Sequence, residues 1–357
     1  MTTVLAFIIL LGILIFFHEL GHFLLAKANR VCVLKFSLGF GPAILKKSIG
    51  ETEYRLSIFP LGGYVKMLGE DPDQEDTLPI DPQKSFTNKS LGAKASIVAA
   101  GPVFNLFLAI IIYTIIAWIG IPAFAPVVGD VQENSPAYQA GLMRGDTIHS
   151  IDNNPIKTWD DISLIVQEAG AGETIEMEIE REGTIFMVLV SPVLTKAHNI
   201  FGEEIDRALI GISRTDTMIT QHFGLIKGIT YGFGQSYRII ELTGIAFWKI
   251  INGTIDIKKS LGGPIMIADV SGQTFKAGAL PFLSLIAFIS INLALINLLP
   301  IPILDGGHLL FFIIEGITGR PVEGRPREIA QQIGLFLLVL LMLLAFYNDI
   351  TRIMTGD

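Results

Sequence analysis

His18-Glu19-Leu20-Gly21-His22 lies inside Val4–Ala26, an apolar stretch long enough to cross a bilayer. On a helix, positions i and i+4 stack on one face, so both imidazoles can reach one ion. Glu19 projects about 100° further round, close enough to act on a water there without being a ligand. Each ionisable group at mid-helix in lipid costs roughly 2.5–3.5 kcal/mol on insertion scales, and such residues are functional by default. Three of them in five positions predict a metal-binding helix rather than a polar packing patch.

The rest of the chain fits a membrane setting. Of 357 residues, 50% are hydrophobic and 17% charged, with a mean hydropathy of +0.55, values of a polytopic membrane protein with a sizeable soluble part. Four apolar segments reach spanning length: Val4–Ala26, Ala95–Ile121, Leu280–Leu299 and Ile329–Phe346. Met1-Thr2-Thr3 lacks a basic n-region, so the first segment is expected to be retained with its ligands. Residues 27–94 carry ten Lys/Arg against eight Asp/Glu, whereas residues 122–279 carry twelve against nineteen. Lys27, Arg30, Lys35, Lys89 and Lys94 cluster by the membrane, and Arg320, Arg325 and Arg327 follow the third segment. The positive-inside rule then places 27–94 and 301–328 in the cytoplasm, and the long acidic insert outside. A net charge of −8 argues against nucleic-acid binding. Cys32, the one cysteine, excludes an intrachain disulfide and reads as a packing residue.

Patterning divides the chain as follows: a first span at 1–26, a cytoplasmic-side loop with membrane-associated strands at 27–92, and a second span at 93–121. An outer domain at 122–214 and amphipathic interfacial helices at 215–274 come next. A third span at 275–300, a Leu-Asp-Gly segment with a cytoplasmic loop at 301–328, and a fourth span at 329–350 complete it. In the first loop, Val33–Phe40 and Tyr54–Phe59 alternate as strands, separated at Gly39-Phe40-Gly41-Pro42 and ended by Pro60-Leu61-Gly62-Gly63. Such a hairpin can dip into the interface and offer a free edge, Tyr54, Arg55, Leu56 and Ser57, to an extended peptide; a plain connecting hairpin fits the pattern equally. Asp71–Pro82 reads as an acidic loop. Gly101-Pro102-Val103-Phe104-Asn105 interrupts the second span, and Asn105 there needs a polar partner in another span or at the metal site, or else marks a packing kink.

In the outer domain, Val127–Val131 opens as a strand. Ser135-Pro136-Ala137 caps a short helix ending at Ala140-Gly141-Leu142, and Arg144-Gly145-Asp146 turns into the strand Thr147–Ile151. Trp159–Ala169 suits an amphipathic helix, and Ile175, Met177 and Ile179 alternate with Glu176, Glu178 and Glu180 as a half-buried strand. These residues resemble a PDZ domain of the circularly permuted bacterial kind. The resemblance implies that Leu209, Ile210, Gly211 and Ile212 form its groove and bind a peptide C-terminus by strand addition; a domain that only blocks access is the alternative.

A catalytic zinc takes three protein ligands and leaves a position open. Beyond His18 and His22, the candidate is Asp305 in Asn297-Leu298-Leu299-Pro300-Ile301-Pro302-Ile303-Leu304-Asp305-Gly306. Two prolines at spacing two forbid a regular helix, so an extended segment at membrane depth must line a cavity. Asp305 then heads a new helix as an unpaired carboxylate that demands a cation, or serves simply as its N-cap. His308, one turn later, reads as a supporting or packing residue.

The His-Glu-x-x-His span, the PDZ-like insert and the Asn-x-x-Pro-x-Pro-x-Leu-Asp-Gly segment together resemble the site-2 protease family of intramembrane zinc metalloproteases, in its regulator-of-sigma-E-protease branch. The likeness also covers Gly39-Phe40-Gly41-Pro42, Phe59-Pro60-Leu61-Gly62-Gly63-Tyr64-Val65 and Gly101-Pro102-Val103-Phe104-Asn105. The best-known members carry two tandem PDZ domains, and residues 126–213 have room for one.

The resemblance implies a polytopic α-helical fold with four transmembrane helices, a membrane-associated β-hairpin and one inserted PDZ domain. It implies one zinc ion on His18, His22 and Asp305, with Glu19 as general base. The substrates would be single-pass membrane proteins such as anti-sigma factors, or signal-peptide remnants, cut within the bilayer. Substrate contact falls to Asn297, Pro300, Pro302 and Asn105, and the Tyr54–Ser57 edge would receive the unwound chain. The setting is a bacterial inner membrane, with the insert outside and the zinc nearer the cytoplasmic face. Two other readings compete: a non-catalytic PDZ adaptor, which the presence of Glu19 opposes, and a transporter, which the apolar fourth span opposes.

Overall fold

The computed structural model describes residues 1–70, 81–199, 201–255, 262–322 and 324–355, in two units: Met1–Ile116 with Leu225–Asp357, and Ala117–Gly224. Most of the acidic 71–82 loop, and Lys258, Lys259 and Leu261, lie outside the described residues.

In the first unit, four helices are long and apolar enough to cross a membrane: α1 (Thr2–Ala28), α2 (Leu91–Ile119), α7 (Ala279–Asn297) and α9 (Arg325–Thr355). They are the four expected segments. Between them lie α5 (Leu225–Ile251), α6 (Pro264–Ala277) and α8 (Asp305–Thr318). α5 turns Gly228, Gly232, Ser236 and Ile239 inward. A side chain at Gly232 would meet Thr114 and the Ile110 carbonyl of α2, so the missing Cβ lets the helices close. Its opposite face leaves Ile226, Phe233 and Tyr237 exposed. α6 packs along α1, and its first amides at Gly263, Ile265 and Met266 donate to the buried Asp349 carboxylate of α9 at 2.8–3.1 Å. An acceptor at a helix N-terminus satisfies donors that the helix itself cannot.

The strands after α1 depart from the expectation. β1 (Val33–Ile49) and β2 (Thr52–Met67) are far longer than the expected pair, and each folds on itself. Gly39 and Gly41 take positive φ (89° and 86°), which bends β1 where a side chain would be strained. Residues 33–38 therefore pair with 63–67 on one side and with the start of β2 on the other, while 43–49 pair with the far side of 52–57. Tyr54 faces both Phe36 and Lys47, Arg55 both Ser37 and Lys46, and Leu56 both Leu38 and Leu45. The expected free edge at Tyr54, Arg55, Leu56 and Ser57 is thus the interior of a four-stranded sheet. One outer strand is Gly63–Met67. Phe36, Val65 and Met67 pack with Ala26 and Ile97, and against Phe16, Phe23 and Tyr54, which seats the sheet on α1. The other end of the sheet exposes Phe40, Ile44, Leu45, Ile58 and Phe59, a surface suited to lipid.

The second unit holds a sheet in the order β6-β5-β7-β8, formed by Asn154–Pro155, Thr147–Ile151, Ile175–Arg181 and Thr184–Val190. α4 (Trp159–Ala169) begins with a capping box in which Thr158 and Asp161 satisfy each other's backbone donors. Its Ile162 and Val166 join Ile148, Ile151, Met177 and Ile179 in the core, with Met177 and Ile179 on the face that alternation marked. Asp146 is fully buried and takes Arg181 through both carboxylate oxygens at 2.7 Å.

Candidate active site

α1 carries His18, Glu19 and His22 as the pattern requires. α2 crosses them at its glycine. A Cβ at Gly21 would strike the Ala100 carbonyl, and one at Gly101 would run into both imidazoles, so the helices touch backbone to backbone and backbone to ring. The expected close approach at Gly101-Pro102 is therefore made by the histidines themselves. His22 donates its Nδ1 proton to the Ile97 carbonyl at 2.9 Å, which leaves Nε2 with a free lone pair. Asn105 stands at His18 on the same face of α2, its amide 3.3 Å from Nδ1. Ser290 of α7 donates to the Asn105 carbonyl at 2.7 Å and anchors this stretch.

Asp305 heads α8 opposite the rings. Residues 298–304 form successive turns rather than an extended segment: Ile301 donates to Leu299, and Leu304 to Ile301. The loop lies so close over the helix start that side chains at Gly306 and Gly307 would strike the Leu299 and Ile301 carbonyls. Pro302 also packs against Gly334 of α9. Asn297 ends α7, and neither it nor Pro300 or Pro302 lines the site cavity described below. Together they shape the turn that delivers Asp305.

The three donor atoms converge. His18 Nε2 is 3.2 Å from His22 Nε2 and 3.3 Å from Asp305 Oδ2, and His22 Nε2 is 3.7 Å from Asp305 Oδ1. Ligands about 2.0–2.1 Å from a tetrahedral zinc stand roughly 3.4 Å apart, close to these three separations, in which the two histidines face different oxygens of Asp305. The side chains are only 12–18% exposed, and Asp305 Oδ2 is buried with no hydrogen-bond partner. Lone pairs facing one another in a dry site repel unless a cation stands between them, so the donor set fits zinc. A zinc held by these three groups would keep a fourth position open, the arrangement of a catalytic rather than a structural site.

Glu19 sits beside the triangle. Its carboxylate is within hydrogen-bond reach of the Val65 backbone, and its Cγ lies about 3.0 Å from where a Cβ on Gly63 would be. The outer strand Gly63–Met67 therefore runs past the general-base candidate Glu19, whereas the sequence reading offered Tyr54–Ser57 as the peptide-receiving edge. A cavity of about 1200 Å³ opens from His18, Glu19, His22 and Asp305, past Gly63, Tyr64 and Val65 to a polar mouth of Glu70, Lys94, His308, Glu315 and Arg327. Two features escaped sequence reading. The Ile97 carbonyl leaves no residue-type signal, and the outer strand was read only as the turn after Phe59.

In the second unit, Leu209 ends β10 (Glu204–Leu209) and Ile212 opens β11 (Ile212–Arg214), which pairs with β4 (Val128–Val131). The Ile210 and Gly211 carbonyls accept from Ala137 and Gln132 at 2.9 Å, so the segment is fixed to the 132–137 turn.

Residues 6–341 match the pattern of peptidase family M50. A Campylobacter jejuni protein named as a zinc metalloprotease is 38% identical over 350 residues, covering 98% of this chain and 93% of its own. The regulator of sigma-E protease RseP of Escherichia coli is 32% identical over 451 positions, covering 98% of each chain. A PDZ domain from a Listeria monocytogenes protein aligns with 26% of this chain and 86% of its own at 20% identity, with a TM-score of 0.20, too low to bear on the fold.

Proposed function

The chain belongs to peptidase family M50 and is a membrane-bound zinc metalloprotease, and on that premise we propose that it cuts single-pass membrane proteins, anti-sigma factors among them, within their transmembrane segments. The reading of the histidine motif as a relic in a PDZ adaptor falls with that membership. The observation that carries the proposal is the half-buried cluster of His18, His22 and Asp305 with Glu19 at its side, built between helices long and apolar enough to cross a membrane and open to a polar cavity.

In this reading His18 and His22 would hold zinc through Nε2, with the Asp305 carboxylate as the third ligand. Zinc held there supplies Lewis acidity towards water and the scissile carbonyl. Glu19 takes the proton that the attacking water sheds and delivers it to the leaving nitrogen. A transmembrane helix hides its carbonyls in its own hydrogen bonds, so the substrate must unwind before attack. Gly63–Val65, an outer strand lining the cavity, is placed to pair with the unwound segment. Asn297, Pro300 and Pro302 act in this reading by setting the turn before Asp305. The exposed apolar end of the β1–β2 sheet would sit in lipid, and Leu209–Ile212 would line a peptide groove in a PDZ-like second unit. The charge distribution favours a bacterial inner membrane with that unit outside and the zinc nearer the cytoplasm.

The test compares the membrane proteomes of cells carrying the wild-type protein or Glu19→Gln. A single-pass protein that accumulates intact only with the variant is the expected result. Equal processing in both strains would sink the mechanism.

A further inference from the structure

Ile97, Gly101 and Asn105 stand four residues apart on α2, and His22 and His18 stand four apart on α1. The two helices therefore meet in register, one α2 group per imidazole. His22 is settled by the Ile97 carbonyl, which can only accept, so its proton sits on Nδ1. His18 has no backbone partner at the same place. It meets the Asn105 amide at 3.3 Å instead.

That amide has a buried Oδ1 with no hydrogen-bond partner. With Nδ2 turned to the ring, Asn105 would also need a lone pair on His18 Nδ1, which would put the proton on Nε2. Nε2 is the atom that faces His22 and Asp305, so a proton there would block ligation. A half-turn of the amide resolves the conflict at the ring, because Oδ1 then accepts the Nδ1 proton and Nε2 is freed, while Nδ2 takes over the position without a partner.

We infer that Asn105 is a positioning residue for the metal site: its Oδ1 accepts from His18 Nδ1 and holds that histidine in the tautomer that ligates through Nε2. The sequence offered Asn105 both as a substrate contact and as a group needing a partner at the metal site, and the geometry favours the second. Ser290 serves the same end, since its hydroxyl fixes the Asn105 backbone from α7. α2 thereby orients both histidines, with a carbonyl for one and a side chain for the other, in the way outer partners commonly set ligating imidazoles.

The inference rests on the zinc-protease reading for the identity of the ion. The experiment measures zinc affinity of the full-length protein in detergent by competition with a chelator, and reads no proteolysis. Asn105→Leu, which removes the acceptor, should weaken binding about 10- to 100-fold. Asn105→Asp, which accepts but cannot donate, should restore it to within about threefold. Unchanged affinity in Asn105→Leu, or a comparable loss in Asn105→Asp, would overturn the inference.

A second measurement needs no fold-sensitive variant. In zinc-free wild-type protein labelled with 15N-histidine, the His18 signal, assigned by its absence in His18→Gln, should report the proton on Nδ1. A proton on Nε2 would overturn the inference just as well. Wild-type protein that binds no zinc at all would count instead against the protease reading.

Discussion

His22 Nδ1 lies 2.9 Å from the carbonyl oxygen of Ile97, a group 75 residues away in sequence. The first helix thus carries the two candidate histidine ligands, and the second decides which nitrogen of His22 is free. This contact exists only because α2 presents glycine where it crosses the rings.

Gly101→Ala should therefore disable the site. The added methyl would overlap the His22 ring and fall 2.7 Å from His18 Cε1, and neither α1 nor α2 can shift without opening the Gly21–Ala100 contact. Overpacking of this kind costs about 1–3 kcal/mol. Zinc content of the purified protein should fall well below stoichiometric, while the second unit stays protease-resistant. Full zinc occupancy would contradict the crossing described here.

Asp305→Asn keeps the shape of the side chain and removes its charge. Zinc should be retained less tightly, by at least tenfold in chelator competition, because the variant replaces the one anionic ligand with a neutral amide. An unchanged affinity would remove Asp305 from the ligand set and leave its buried Oδ2 unexplained.

Gly63→Ala separates the base from the metal. A Cβ there would lie 2.8 Å from Ile15 Cγ2 and the Ser37 carbonyl and 3.0 Å from Glu19 Cγ, so the Glu19 side chain must move. Turnover should drop roughly tenfold, about 1.4 kcal/mol in the barrier, with zinc affinity unchanged. A variant that loses metal and activity together would show instead that the outer strand supports the whole site.

In the second unit, Asp146→Ala leaves Arg181 without its bidentate partner and the Met143 amide without its acceptor. Arg181 can turn to solvent, since its side chain is 28% exposed, so the cost should be about 1.5–3 kcal/mol rather than that of a stranded buried charge. Limited proteolysis of the full chain should cut within residues 117–224 at lower protease concentration than in the wild type. Metal content should not change, and an unaltered cleavage pattern would mean that the pair contributes little.

Local signals in the sequence reached far here. Spans follow from run length, and the histidine pair follows from helical spacing alone, because i and i+4 share a face on any helix. The inward faces of α4 and β7 follow from period. The strands after α1 show where this stops. Alternation at Tyr54–Ser57 marks a strand correctly, but it cannot say that the chain bends at Gly39 and Gly41 and buries that strand between two others.

By itself, then, the sequence determined which residues are candidate zinc ligands, which is the candidate base, and which segments are long and apolar enough to cross a membrane, since each depends on residue type and nearest spacing. Tertiary structure decided how those groups are presented. The Ile97 carbonyl sets the His22 tautomer, Gly101 admits both rings, and the tight turn at 298–304 brings Asp305 to within 3.3–3.7 Å of the histidines. Gly63–Met67, not Tyr54–Ser57, is the outer strand of the sheet beside Glu19. The physical reason is common to all four. A carbonyl, a missing Cβ or a free strand edge has no chemistry of its own until a distant part of the chain is packed against it.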